Sequence, residues 1–344
     1  MKKAFVLLVT TLSALFSMTA TAQSILQTYF KGNKDSMRAE ATRLINRPAP
    51  AFRSVGKGLP GIAQVVTKQR YKLLTRRFVM RDKQVIAAFK LRGKSANTIV
   101  LIHGVRSSSY DYLETAHLVQ QATQTTVYAV DLRGHGRSAG KPGDVAYVNQ
   151  YADDLADVVA AIRREKPGGK VIIAGHSIGG GVALQYARNK QAPLVDGYLL
   201  MAPLLGQDSP AIRQDSAMPT DTTKPAMNIH ITRIIGLKML NELGQHEHDS
   251  LPVLYFNVPV SVPLRQYTYR ANISMAPENY VRAVGVPLLV LVGSKDEVFV
   301  AKKLEKAVLD NSKGEVHLLE GATHDGIGHD PRIVAVISNW FSTL

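Results

Sequence analysis

The 344-residue sequence contains no cysteine. That excludes disulfides and any cysteine-linked lipid anchor, so packing alone must hold the fold together. It also lacks an apolar run of the roughly 20 residues that a transmembrane helix needs. Its longest such stretch, Ala4 to Phe16, follows Lys2-Lys3 and precedes Ala20-Thr21-Ala22 and Gln23. A charged start, a short apolar middle and a small-x-small end are the order of a secretory signal peptide. Residues 1–22 are therefore expected to be removed on export to the periplasm or the medium, leaving a soluble product. Internal repeats and low-complexity tracts are absent as well.

Acidic residues are scarce in one region only. Between residues 23 and 94, 17 lysines and arginines face just Asp35, Glu40 and Asp82, a net +14. Residues 95–344 sum to −1. A solvated basic surface explains this excess, and so does attraction to an anionic membrane surface, which is worth at most about 1 kcal/mol per basic residue. Nucleic acid is not an expected partner, because the basic residues are not interleaved with aromatics and no binding motif accompanies them.

The remaining pattern is one of alternation. After a mixed segment, 23–74, in which Ile25, Leu26, Tyr29 and Phe30 suggest a short helix, two strands flank a polar turn at Arg81–Gln84. Buried strands are expected at 97–104, 126–136, 170–177, 196–204, 286–293 and 314–321. Helices are expected at 110–121, 150–164, after Ser177, at 300–309 and at 332–341. Short, continuously apolar strands alternating with helices imply a parallel sheet covered on both faces. Residues 205–285 interrupt the alternation, are too many for a loop, and are read as an inserted lid. Within them, 228–243 carries an apolar stripe at helical spacing through Ile231, Ile234, Ile235 and Leu240. Residues 251–263 are continuously apolar and broken by prolines.

One junction carries chemistry. "VIIAGHSIGGGVALQYA" (171–187) passes from strand to helix through Gly175-His176-Ser177-Ile178-Gly179. A serine must stand clear of its own backbone and find a base before it can act as a nucleophile. A tight strand-to-helix turn exposes the hydroxyl and places the Ile178 amide at a helix N-terminus, where negative charge is favoured. Gly175 and Gly179 are small because that turn crowds the backbone. A phosphate-binding junction is the other reading, but no Gly-Lys-Ser/Thr follows and the dinucleotide spacing is missing.

Together with "LIHGVRSSS", "DLRGHGRS", "VGSKDEVF" and "EGATHDG", this elbow resembles the α/β-hydrolase superfamily, over about residues 75–204 and 286–344. The sequence is most similar to its lysophospholipase and monoacylglycerol-lipase branch. The resemblance implies a mostly parallel eight-stranded sheet with helices on both faces and the lid inserted. It also implies Ser177 as nucleophile, Asp296 as acid and His324 as base, in that chain order. The oxyanion hole would come from the amides of Ile178 and Val105, with Gly104 as the alternative donor. His103 would hold that loop. His329 and Asp325 remain rivals beside His324, as does Asp310 for the acid. Asp131 resembles a structural aspartate, and His176 a packing residue of the elbow.

A serine at the elbow favours acyl transfer over dehalogenation or epoxide opening, which use aspartate there. The resemblance therefore implies an exported esterase acting on small-molecule or lipid esters. Thioesterase, acyltransferase or peptidase action by the same triad stays open, as does a non-catalytic binding protein. No cofactor is expected. No metal is expected either, since His246 and His248 in "HEHD" (246–249), with His324 and His329, are framed by no zinc signature.

Overall fold

The computed structural model describes residues 33–50, 73–206, 209–213, 227–258, 264–275 and 281–344. The expected signal segment 1–22 and the helix expected near residues 25–30 lie outside them. In chain order the elements are α1 (Lys34–Ile45), β1 (Leu74–Val79), β2 (Val85–Leu91), β3 (Thr98–Ile102), α2 (Leu113–Thr123), β4 (Thr126–Val130) and α3 (Gln150–Glu165). There follow β5 (Val171–His176), α4 (Ile178–Arg188), β6 (Gly197–Met201), β7 (Met227–Ile229), α5 (Ile231–Glu242), β8 (Pro252–Phe256) and β9 (Gln266–Thr268). The chain ends with α6 (Tyr269–Met275), β10 (Leu288–Gly293), α7 (Ala301–Leu309), β11 (Glu315–Leu319) and α8 (Ile333–Phe341).

These elements fall into two compact units. The larger is built on an eight-stranded sheet in the order β1-β2-β4-β3-β5-β6-β10-β11. Only β1 with β2 and β2 with β4 pair antiparallel; the other pairings are parallel. Every residue of β3, β4, β5, β6 and β10 is buried. That explains their unbroken apolar sequence, since a parallel sheet flanked by helices has no wet face. Each Val, Leu or Ile so buried contributes about 1.5–3 kcal/mol. This is the α/β-hydrolase arrangement that the motifs implied. The chain leaves β3 for β4 on one side and returns to β5 on the other, so β3 and β5 lie side by side, with Ile102 opposite Gly175. Such a reversal opens a crevice at the carboxyl ends of the two strands.

The strand expected over 126–136 ends at Val130. Asp131 turns the chain there by accepting hydrogen bonds from the Ser109 and Arg137 amides, at 2.6 and 3.1 Å. The last two helices begin one residue later than the apolar pattern predicted, at Ala301 and Ile333.

In the smaller unit, α1 was not anticipated. Asn33 caps it by accepting from the Ser36 amide at 2.9 Å, and Met37, Ala41, Leu44 and Ile45 make one buried stripe. The stripe packs on Leu237, Met239 and Leu240 of α5. The helices approach closely at Gly236, where an added Cβ would lie 2.7 Å from the Ala41 carbonyl oxygen. Arg233, buried, closes the end of α1. Its guanidinium donates to the carbonyls of Ile45 and Arg47 at 3.1 and 3.3 Å, and to the Pro252 carbonyl and Tyr255 hydroxyl at 2.8 and 2.7 Å. Cationic donors at helix-terminal carbonyls satisfy groups that no intrahelical amide can reach. Strands β7, β8 and β9 form a small antiparallel sheet, also unanticipated. No helix among the described residues is long and apolar enough to cross a membrane.

Candidate active site

Ser177 sits between β5 and α4 with φ 53° and ψ −117°. A non-glycine residue there is strained by about 1–3 kcal/mol, and such strain persists where the surrounding structure imposes it. The surroundings do so here. An added Cβ on Gly175 would lie 2.5 Å from Gly179 backbone atoms, and one on Gly179 would lie 2.5 Å from the Ile102 carbonyl oxygen. The turn thus folds tightly against the end of β3. Ser177 is buried, at 8% exposure, and its amide donates to the Met201 carbonyl at 3.0 Å.

Asp296 follows β10 and His324 follows β11, two adjacent parallel strands whose loops leave the sheet at the same edge. Their side chains meet: His324 Nδ1 lies 2.9 Å from Asp296 Oδ2. Asp296 Oδ1 accepts the amides of Val298 and Phe299 at 2.8 and 2.7 Å. Burial pushes the Asp296 carboxyl upward, but the His324 bond and charge and these two amides more than reverse it, leaving it below the usual carboxylate range. Burial likewise opposes a charge on His324, yet Asp296 outweighs it, with Asp325 and Glu297 adding, so the imidazole is raised above the ordinary 6.5. An ionised carboxylate accepts only, so Nδ1 carries the hydrogen and neutral His324 presents Nε2 as a base. The Phe299 ring packs edge-on against the imidazole at 5.3 Å.

The loop after β3 supplies His103, Gly104 and Val105. His103 Nε2 accepts the Leu132 amide at 3.0 Å, so Nδ1 holds the hydrogen and donates to the Gly104 carbonyl at 2.8 Å. In a trans peptide the carbonyl and the following amide point opposite ways, so this bond turns the Val105 amide away from His103. The Gly104 amide donates to the Tyr112 hydroxyl at 3.0 Å. A Cβ on Gly104 would be 3.7 Å from Ser177 Cβ, which places this loop beside the serine. Ile178, the first residue of α4, has an amide without an intrahelical partner.

The other sequence candidates lie elsewhere or are otherwise engaged. His329 Nδ1 is 2.9 Å from Glu114 Oε2. Asp310 pairs with Lys306 at the end of α7, at 2.9 Å. His246 faces Asp249 at 3.2 Å across its own turn, and Asp249 also accepts from Asn241 at 2.7 Å. His176, His324 and Asp325 bring possible metal-ligand atoms within 4.8 Å of one another. Both nitrogens of His176 and the Nδ1 of His324 are already hydrogen-bonded, so too few donors remain to hold an ion well. Two neighbours were missed from sequence. Glu297 accepts the His324 amide at 2.9 Å. Tyr112 occupies the N-cap of α2 without capping it. An aromatic where Ser, Thr, Asp or Asn is preferred was the available signal.

The chain resembles known proteins in sequence and in fold. An uncharacterized protein of Mycobacterium tuberculosis is 27% identical over 277 residues, 74% of this chain and 78% of that one. A monoacylglycerol lipase of Mycolicibacterium smegmatis is 34% identical over 90 residues, 26% of this chain and 31% of that protein. Among solved structures, the esterase RhEst1 from Rhodococcus sp. ECU1013 superposes with a TM-score of 0.53 at 22% identity, covering 78% of this chain and all but 1% of that one, which speaks to the fold. The model of one hydrolase family, Hydrolase_4 (serine aminopeptidase, S33), matches residues 93–331. The chain belongs to that family of α/β-hydrolases.

Proposed function

We propose that the protein is an exported serine esterase that cleaves small or lipophilic carboxylic esters through an acyl-enzyme. The observation that carries this reading is the strained Ser177 turn, at the same sheet edge as a His324–Asp296 pair whose remaining imidazole nitrogen is a free base. Ser177 Oγ attacks the acyl carbon while His324 Nε2 takes its proton. Asp296 holds the tautomer and stabilises the imidazolium. The Val105 and Ile178 amides receive the tetrahedral oxyanion, each donor worth about 3 kcal/mol in the transition state. Collapse expels the alcohol, protonated by His324, and water repeats the sequence to release the acid.

The monoacylglycerol lipase and monoglyceride lipase names of two relatives favour an ester, and lipophilic acyl groups within that class. The apolar stripe of α5 gives no support for an acyl-binding tunnel. Ile234, Ile235 and Leu240 pack into the cluster with α1. Residues 205–285 as lid, residues 1–22 as signal peptide and contact of the basic segment with an anionic membrane belong to the same reading. A fluorophosphonate adduct mapped to Ser177, with turnover of p-nitrophenyl esters falling at least about 10³-fold in Ser177→Ala, is the expected result. Undiminished turnover in that variant refutes it. Cleavage of aminoacyl arylamides in preference to every ester would move the leaving group from alcohol to amine without changing the triad.

A further inference from the structure

His176 does more than pack. Its Nε2 lies 2.9 Å from the backbone carbonyl of His324. A carbonyl only accepts, so Nε2 carries the hydrogen and Nδ1 is left as an acceptor. The Tyr112 hydroxyl, 2.5 Å from Nδ1, must then donate to it. The tyrosine oxygen is thereby free to accept the Gly104 amide at 3.0 Å. Every hydrogen in the chain has one direction, from Gly104 through Tyr112 and His176 to the His324 carbonyl. The groups are buried, at 9% exposure for Tyr112 and 2% for His176. Burial, with the charge of His324 second, pushes the His176 imidazole down to about 3, so it stays neutral and the directions do not change. At its far end the His324 amide is held by Glu297, which leaves that backbone gripped on both sides.

The two ends of this chain matter because of what they hold. One is the His103–Gly104 peptide, beside Ser177. The other is the backbone of the proposed base. We propose that Tyr112 and His176 are positioning residues, a hydrogen-bonded strut that keeps the oxyanion loop and the His324 loop in register with Ser177. By engaging the Gly104 amide, the strut also leaves Val105 as the donor that this loop offers to the oxyanion. This deepens the esterase reading and rests on it. Neither side chain touches substrate, so their effect must pass through geometry that counts in the transition state.

Tyr112→Phe keeps the ring and removes the donor. Its kcat is expected to fall about 10- to 100-fold, the scale of a misplaced catalytic group, with KM changed less than about threefold. Affinity for an alkylboronic acid, which binds as a tetrahedral adduct, should fall by the same factor as kcat/KM. Because the strut works as a unit, Tyr112→Phe/His176→Phe should fall no further than His176→Phe alone. Thermal denaturation and near-UV circular dichroism establish that each variant is folded, and boronate affinity is read on the folded protein alone. Wild-type kcat/KM and boronate affinity in Tyr112→Phe, a loss confined to KM, or additive losses in the double variant would each overturn the strut. Activity lost in Ser177→Ala but kept in Tyr112→Phe removes the strut alone. Full activity in Ser177→Ala removes the esterase reading and the strut with it.

Discussion

Asp131 and Asp296 occupy the same kind of place. Each follows a fully buried strand, β4 or β10, each is 1% exposed, and each accepts two backbone amides. They differ in the next partner. At the β4 end the carboxylates are matched by guanidinium groups: Arg137 Nε lies 3.5 Å from Asp131 Oδ2, and Arg133, two residues on from Asp131, grips Asp154 in bidentate fashion at 2.8 and 2.6 Å and reaches Asp82 at 2.9 Å. Arginine does not deprotonate in proteins, so these guanidinium partners move no proton. At the β10 end the partner is His324, whose charge changes near neutrality. The same strand-end carboxylate anchors a turn in one place and, in the proposed mechanism, orients the base in the other.

The difference can be broken at several points. Asp296→Asn should cost the most, about 10⁴-fold in kcat, because an amide in that place selects the wrong imidazole tautomer; stopped-flow ester hydrolysis reads it, with the melting temperature as control. Arg133→Met should spare kcat to within about threefold and instead cost about 3–5 kcal/mol of stability, by stranding a buried carboxylate. Urea denaturation checks this, and a kcat loss equal to that of Asp296→Asn would erase the distinction. Asp131→Ala should cost less, about 2 kcal/mol, since it leaves the Ser109 and Arg137 amides unpaired.

Titration sharpens the same contrast. His324 must be neutral to accept the serine proton, and its value is raised, so more alkaline solution is needed to free it. The acid limb of kcat/KM should therefore lie above pH 6.5 and move downward in Asp296→Asn, while Arg133→Met leaves it in place. A pH–rate profile that is flat down to pH 5 would remove His324 as the base. The smallest effect is expected from Glu297→Gln, whose amide oxygen can still accept the His324 amide; kcat should change by no more than about threefold.

Much of this was legible in the sequence. The strands of the large sheet read as unbroken apolar runs because burial on both faces demands it. Ser177 could be named as the proposed nucleophile from its glycine-flanked turn, and Asp296 and His324 as its partners from the motifs that resemble the hydrolase family, each standing just past such a run. Helix α1 was legible too, from Asn33 and the Met37, Ala41, Leu44, Ile45 spacing, but it was passed over inside a basic segment. Strands β7 and β9 have three residues each, too short for an alternating pattern to register. Glu297 stood in a quoted motif, yet nothing local said that its carboxylate would reach a backbone amide 27 residues away.

By itself the sequence determined the order of strands and helices in the large sheet's unit, the glycine-flanked turn that strains Ser177, and the residue types at the strand ends. These depend on neighbours within a few positions, through periodicity and backbone crowding. Only the tertiary structure decided which strand ends meet, that His324 faces Asp296 while His329 faces Glu114, and that Tyr112 and His176 join two loops. Those partners lie between 28 and 215 residues apart along the chain, and a hydrogen bond is specified by distance and direction in space, for which spacing in the sequence carries no code.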